Sequence, residues 1–268
     1  MKHLGKSHLR LILHILMVLC VVGILYSVFV LFSDRQEYAK GDDIYQQLSL
    51  LGKLADHSTD HDSTLLDTAG ESSSGEKKEQ QINGVDFISL EKINPDVVGW
   101  IAAEGTEINY PVVQGKDNDF YLTHLFTGER NKLGSIFMDY RNHNDFSDKN
   151  TIIYGHNMKD GSMFSSLTKY KDQGYYDSFP TMLFFTPDGN YLIEFFAGNV
   201  VDGNYESVRF DFKDDYDFQN YVDSLKKKST FESNTIVKAD DRIITLATCS
   251  YEYDNARYAL YGKLTPIR

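Results

Sequence analysis

Apolar and polar positions divide the chain into stretches of different texture. Residues 11–32 are almost wholly apolar and hold no Asp, Glu, Lys or Arg. As a helix, that stretch would run about 33 Å at about 1.5 Å per residue, enough to cross a hydrocarbon core of about 30 Å. Beyond it, Ile44, Leu48 and Leu51 fall at i, i+4 and i+7, which predicts a short amphipathic helix capped by Asp42 or Asp43. From residue 56 to about 82 the composition turns to Ser, Thr, Asp, Gly, Glu and Lys, too poor in apolar side chains to offset ordering entropy. That stretch reads as a flexible polar linker.

From Val85 onward the pattern is one of short β-rich runs, at 97–101, 110–113, 135–138, 151–154, 182–186, 191–200, 243–248 and 258–264. Gly, Pro, Asn and Asp punctuate them, and Pro187-Asp188-Gly189 reads as a hairpin turn. Eight strands at this spacing predict a mainly β domain, a closed barrel or a sandwich. One helix interrupts the series: Phe218, Tyr221, Val222 and Leu225 form its apolar stripe, Asp214 or Asp215 can cap it, and Lys226 to Lys228 suit its C-terminal dipole. A shorter helix is expected over residues 117–125.

Charge orients this plan. Lys2, Lys6 and Arg10 precede the apolar run, so the positive-inside rule places the N-terminus in the cytoplasm and the rest outside, a single-pass type II arrangement. A cleaved signal peptide would need a shorter apolar run and a small-x-small exit; the sequence here leaves through Val-Leu-Phe-Ser-Asp-Arg-Gln. After the span stand 24 Lys and Arg against 39 Asp and Glu, a net charge near −15. Nucleic acid is excluded as a partner class, since its binding rests on neutralising phosphates. His57 and His61 have metal-like spacing but lie in the polar linker, where solvation is the simpler reading, and no metal or other cofactor is expected.

The chain has two cysteines, Cys20 in the membrane-length run and Cys249 near the C-terminus, too separated to pair. An unpaired thiol in an exported domain calls for an explanation, and core packing is the ordinary one. Cys249, however, ends the apolar run 243–248 and is followed at once by polar residues 250–255, so it stands at a strand exit. Arg257 opens the next strand eight residues on. In an antiparallel hairpin the guanidinium would return to the level of the sulfur, where it could stabilise a thiolate and an acyl-transfer oxyanion. The competing reading is a surface Arg paired with Glu252 or Asp254. His156, beyond the run 151–154 and next to Gly155, could carry the proton such chemistry needs. His124 and His143 lack that strand-end context.

The string Thr245-Leu246-Ala247-Thr248-Cys249 resembles the T-L-x-T-C motif of sortases, with Arg257 at the family's spacing and a histidine upstream. Residues 93–101, 110–114 and 134–141 are similar to the early strands of class B members, as is a helix-bearing insertion at 212–231. The resemblance covers about residues 85–264. It implies an eight-stranded closed β-barrel with a helix inserted before the cysteine strand, short peripheral helices and an N-terminal transmembrane helix.

The resemblance also implies a function. Sortases cleave a C-terminal sorting motif of secreted proteins through a Cys thioester and pass the acyl group to an amine of the cell-wall precursor, or in some members to a pilin lysine. Carried over, Cys249 would be the nucleophile, His156 the proton carrier and Arg257 the oxyanion holder; Asn118, Leu122, Tyr154 and Thr248 would contact substrate. Ala247 stands where some class B members carry a hydroxyl residue. The organisation expected is a cytoplasmic N-terminus at 1–10, a signal-anchor helix at 11–32, a helical stalk at 33–55, the linker at 56–82 and an extracellular catalytic domain at 83–268. A class B-like pilin-polymerising sortase, a cysteine hydrolase of surface peptides, in which water resolves the thioester, and a stalked binding module with an incidental thiol are the alternatives.

Overall fold

The computed structural model describes residues 6–52, 84–203, 209–250, 252 and 254–267, so the linker with His57 and His61 lies outside the described residues. The chain divides into two units, Met1–Ile44 and Tyr45–Arg268. Helix α1, Lys6–Ser49, runs through the first and ends in the second. It is the one helix among the described residues long and apolar enough to cross a membrane, and its most apolar section has a mean hydropathy of 2.9. The separately capped helix expected at 44–51 is therefore the end of this longer one. Between the apolar run and Ser49 only Gly41 disfavours helix, by about 1 kcal/mol, and one such residue does not break it.

In the second unit, Tyr45 and Leu48 are buried, and the Tyr45 hydroxyl donates to the Gly134 carbonyl at 2.6 Å. Helix α2, Phe87–Ile93, is capped by Asp86, whose carboxylate accepts from Ser89 N at 3.0 Å. The strands follow as β1 Val97–Ala102, β2 Asn109–Val113, β3 Ile136–Met138 and β4 Asn150–Tyr154. Helix α3, Gln173–Ser178, precedes β5 Thr181–Thr186 and β6 Gly189–Asp202, a hairpin turning through Pro187 and Asp188. Helix α4, Asp215–Lys227, then leads to β7 Ile243–Cys249 and β8 Ala256–Ile267. Where the sequence predicts a helix over 117–125, only a 3-10 turn forms, Phe120–Leu122. Asp117 instead spends its carboxylate on Phe120 N and Asp119 N, closing a tight turn that a longer helix would have to open.

The strands close into a barrel in the order β1-β2-β3-β4-β7-β8-β6-β5. Six of its neighbouring pairs are antiparallel, while β2–β3 and β4–β7 are parallel. Parallel partners need long crossovers. The β2–β3 crossover carries the 3-10 turn, and the β4–β7 crossover carries α3, β5, β6 and α4. Trp100, Ile101, Val112, Ile152, Phe184, Phe195 and Leu246 are fully buried in the barrel. Outside it, the stripe of α4 buries Phe218, Tyr221, Val222 and Leu225 in a cluster with Phe196, Val237 and Tyr261. Burying a side chain of that size contributes about 1.5–3 kcal/mol, enough to hold a 13-residue helix that would be marginal alone. Asp214 caps it on Asp217 N at 2.8 Å, and Lys226 and Lys227 lie in its last turn.

Candidate active site

Parallel pairing of β4 with β7 brings two segments distant in the chain to one rim. Tyr154 is the register partner of Ala247. His156 and Cys249 each stand two residues further on, so both leave the barrel at the same end. The rim is fastened by Gly155 N donating to Ala247 O at 3.1 Å, the Thr248 hydroxyl donating to Gly155 O at 2.8 Å and Asn157 Nδ2 donating to Cys249 O at 2.8 Å. Gly155 is required by packing: a Cβ there would meet Ile136 Cδ1 at 2.5 Å and the Phe164 ring at 2.7 Å. The close approach at this glycine is made by core side chains.

The β7–β8 hairpin supplies the next partner. Cys249 and Arg257 are directly paired across the antiparallel ladder, and Arg257 NH1 donates to Cys249 Sγ at 3.2 Å. Glu252, the alternative partner for Arg257, is engaged by Lys171 and by the Ser250 hydroxyl. Cys249 is half-buried, open enough to react yet fixed by its strand.

His156 reaches the site from the other side. Its Nε2 lies 2.6 Å from the carbonyl oxygen of Leu122, in the β2–β3 crossover. A carbonyl only accepts, so Nε2 carries the hydrogen and Nδ1 is the nitrogen left for proton transfer. The other histidines sit elsewhere: His124 stacks on Phe120 at 4.0 Å, and exposed His143 pairs with Asp148 at 2.8 Å. Among the described residues there is no group of three or more His, Cys, Asp or Glu that could hold a metal.

A cleft of about 240 Å³ opens at this rim. It holds all seven residues singled out by the sequence: Cys249, His156, Arg257, Asn118, Leu122, Tyr154 and Thr248. Val201, Asp202 and Gly203 from the end of β6 and Phe137 from β3 complete its walls. Thr248 lines the cleft, but its hydroxyl is committed to Gly155 and the residue is buried. Sequence reasoning singles out neither Arg141, which lines the cleft, nor Asp139, which pairs with it. Arg141 lines the cleft and makes a two-pronged ion pair with the wholly buried Asp139 carboxylate, Nε to Oδ1 at 2.8 Å and NH2 to Oδ2 at 2.7 Å. Burial pushes that carboxyl up, but hydrogen bonds from Arg141 and its charge, with help from Asn118, outweigh this and hold it below the usual carboxylate range. The one signal in the sequence is Asp-Tyr-Arg at the exit of a strand.

No family model matches the chain. Known proteins do. It is 43% identical over 209 residues to sortase B of Listeria monocytogenes, a match covering 76% of this chain and 85% of that protein. Its fold matches the crystal structure of Staphylococcus aureus sortase B with a TM-score of 0.65 and 39% identity, over 68% of this chain and 87% of that one. The chain belongs to the class B sortases. A Bacillus anthracis sortase B structure matches with a TM-score of 0.71 and 32% identity, over 87% of this chain and all of that one. As a class B sortase the protein is a cysteine transpeptidase, and its closed eight-stranded mixed barrel is the sortase B fold.

Proposed function

We propose that this class B sortase is anchored by α1 as a single-pass type II protein and joins secreted proteins to an amine of the cell-wall precursor, with Cys249, His156 and Arg257 as its catalytic residues. Cys249 gives its thiol proton to His156 and, as the thiolate, attacks the carbonyl carbon of the residue before the scissile bond of a C-terminal sorting motif. The oxyanion so formed faces Arg257, already in reach of the sulfur. Collapse of this intermediate breaks the C–N bond, and the departing amine takes a proton from His156. The acceptor amine then gives a proton back to His156 as it attacks the thioester, which forms the new amide and frees the sulfur.

The observation that carries this reading is the shared rim: register sets Arg257 against Cys249 at 3.2 Å, and the parallel β4–β7 pair brings His156 to the same cleft. Asn118, Leu122 and Tyr154 are the substrate-facing residues of the reading, and Thr248 also lines the cleft. Solved relatives support both halves of the reaction, since one is a Staphylococcus aureus sortase B–substrate complex and another a sortase B complexed with triglycine. The apolar run of α1 and the basic residues before it support the anchor and its orientation. The test is a peptide-library cleavage assay on the full-length chain in detergent, with and without triglycine. Acyl transfer to triglycine that disappears in Cys249→Ala is the expected result. Release of free acid unaffected by triglycine would make the chain a hydrolase, and unchanged turnover in Cys249→Ala would remove Cys249 from the mechanism.

A further inference from the structure

The floor of the cleft beside His156 is organised around one carboxylate. Asp139, at the exit of β3, is wholly buried, yet its side chain is in contact with three residues that line the cleft. Oδ2 accepts from Asn118 Nδ2 at 3.1 Å, from the Tyr154 hydroxyl at 3.0 Å and from Arg141 NH2 at 2.7 Å. Oδ1 takes Arg141 Nε at 2.8 Å and Arg141 N at 3.0 Å. A carboxylate is acceptor-only with about four lone-pair sites, so these donors use it fully. Its backbone is fixed as well, because Gln114 Nε2 donates to Asp139 O at 3.0 Å.

Two of the three contacts lead to the histidine. Tyr154 stands two residues before His156 on the same strand end. Asn118 lies in the turn that leads to Leu122, whose carbonyl holds His156 Nε2, and its own Oδ1 accepts from Tyr140 N at 3.1 Å, which closes the crossover onto the exit of β3. Arg141, the third, lies over the Phe210 ring at 4.7 Å and so ties the β3 exit to the segment between β6 and α4.

We propose that Asp139 is a positioning residue for acyl transfer, which through Asn118, Tyr154 and Arg141 fixes the polar wall of the peptide cleft and the Leu122 carbonyl that orients His156. This rests on the assignment of Cys249 and His156 above. An unpaired carboxylate would be costly where Asp139 sits, and a neutral amide there would turn its NH2 toward groups that are themselves donors. The wall would then shift as a unit, and displacements of an ångström beside reacting atoms are worth one to two powers of ten in rate.

The experiment uses the full-length chain in detergent, the peptide it cleaves fastest from a library, and triglycine as amine. Asp139→Asn is expected to lower kcat/KM about 10- to 100-fold. Modification of Cys249 by the thiol reagent MTSET should stay within about twofold of wild type, because the sulfur and Arg257 lie on strands Asp139 does not touch. In an Asn118→Ala/Tyr154→Phe background the same change should cost less than about threefold more, since the residues it acts through are already gone. Full multiplication of the effects, or loss of MTSET reactivity in step with activity, overturns the proposal. If Asp139→Asn does not fold, Asn118→Ala and Tyr154→Phe carry the test: their effects on KM should be non-additive, and strict multiplication overturns it. Failure of the catalytic assignment is separate, and shows as turnover by Cys249→Ala.

Discussion

Tyr154 of β4 is the register partner of Ala247 of β7, and each lies two residues before a side chain of the proposed catalytic set. Because the pair is parallel, the two chains leave the barrel in the same direction, and His156 and Cys249 come to line one cleft. Adjacent strands lie about 4.8 Å apart. The third member, Arg257, comes from the antiparallel neighbour on the far side of β7. The sulfur therefore stands on the central one of three strands, with His156 beyond the strand on one flank and the guanidinium on the other.

The first prediction concerns that guanidinium. Arg257→Ala removes the donor at 3.2 Å from Cys249 Sγ, and a lost oxyanion donor costs about 10²- to 10³-fold in kcat. Arg257→Lys keeps the charge but loses the planar fork, and is expected to recover only part of that loss. Thioester accumulation followed by mass spectrometry during a single turnover measures both. Wild-type acylation in Arg257→Ala would exclude the residue from the first step.

A second prediction separates lining from recognition at Thr248. Its hydroxyl donates to the Gly155 carbonyl at 2.8 Å and the residue is buried, so the side chain fastens β7 to the end of β4. Thr248→Val preserves shape but leaves that carbonyl unpaired, which costs about 1–3 kcal/mol. A lower melting temperature with KM unchanged is expected. A raised KM at unchanged stability would return the hydroxyl to substrate binding.

How much of this is legible in the sequence follows from the range of each interaction. The eight strands are, because alternation, turn residues and β-branched runs are local; so are α4 with its Asp214 cap and the Pro187-Asp188 turn. The hairpin that sets Arg257 on Cys249 can also be inferred, since antiparallel neighbours eight residues apart leave few registers. The parallel β4–β7 pair cannot: it joins positions on either side of a crossover holding two other strands and α4. Asp139 stays hidden because nothing local tells a buried carboxylate from a surface one. At α1 a local rule misleads: Asp42 and Asp43 look like caps, but they lie inside a helix begun much earlier.

The third prediction is a pH dependence of stability away from the cleft. The Asp148 side chain raises the pKa of His143 above its ordinary value by hydrogen bond and charge. Burial pushes the Asp148 carboxyl up, but hydrogen bonds from His143 and Asn142 outweigh it and leave the carboxyl below its usual range. The His143 contribution is full below its unfolded pKa of about 6.5 and is lost as pH rises through the higher folded value. That of Asp148 is present above its unfolded pKa of about 3.9 and is lost as pH falls through the lower folded one. The difference in melting temperature between wild type and His143→Gln should therefore be largest near pH 5 to 6 and close by about pH 8.5. A gap that persists at alkaline pH would assign the loss to packing.

The last prediction reaches His156 through a glycine that touches neither it nor substrate. Gly134 adopts a φ of +60°, and a Cβ there would lie 2.7 Å from the carbonyl oxygens of Tyr121 and Leu122. Alanine at this position is strained in its own backbone, by about 1 kcal/mol, and also pushes on the oxygen that holds His156 Nε2. Relief by moving that oxygen would rotate the imidazole away from the hydrogen bond that fixes its Nδ1 for proton transfer. Gly134→Ala is accordingly expected to lower kcat about tenfold or more, with KM changed much less and Cys249 still modified by MTSET at the wild-type rate. The split matters because a general loosening of the barrel would lower reactivity at Cys249 as well. Should MTSET modification and kcat fall together, the Leu122–His156 bond would not be what sets the rate of proton transfer.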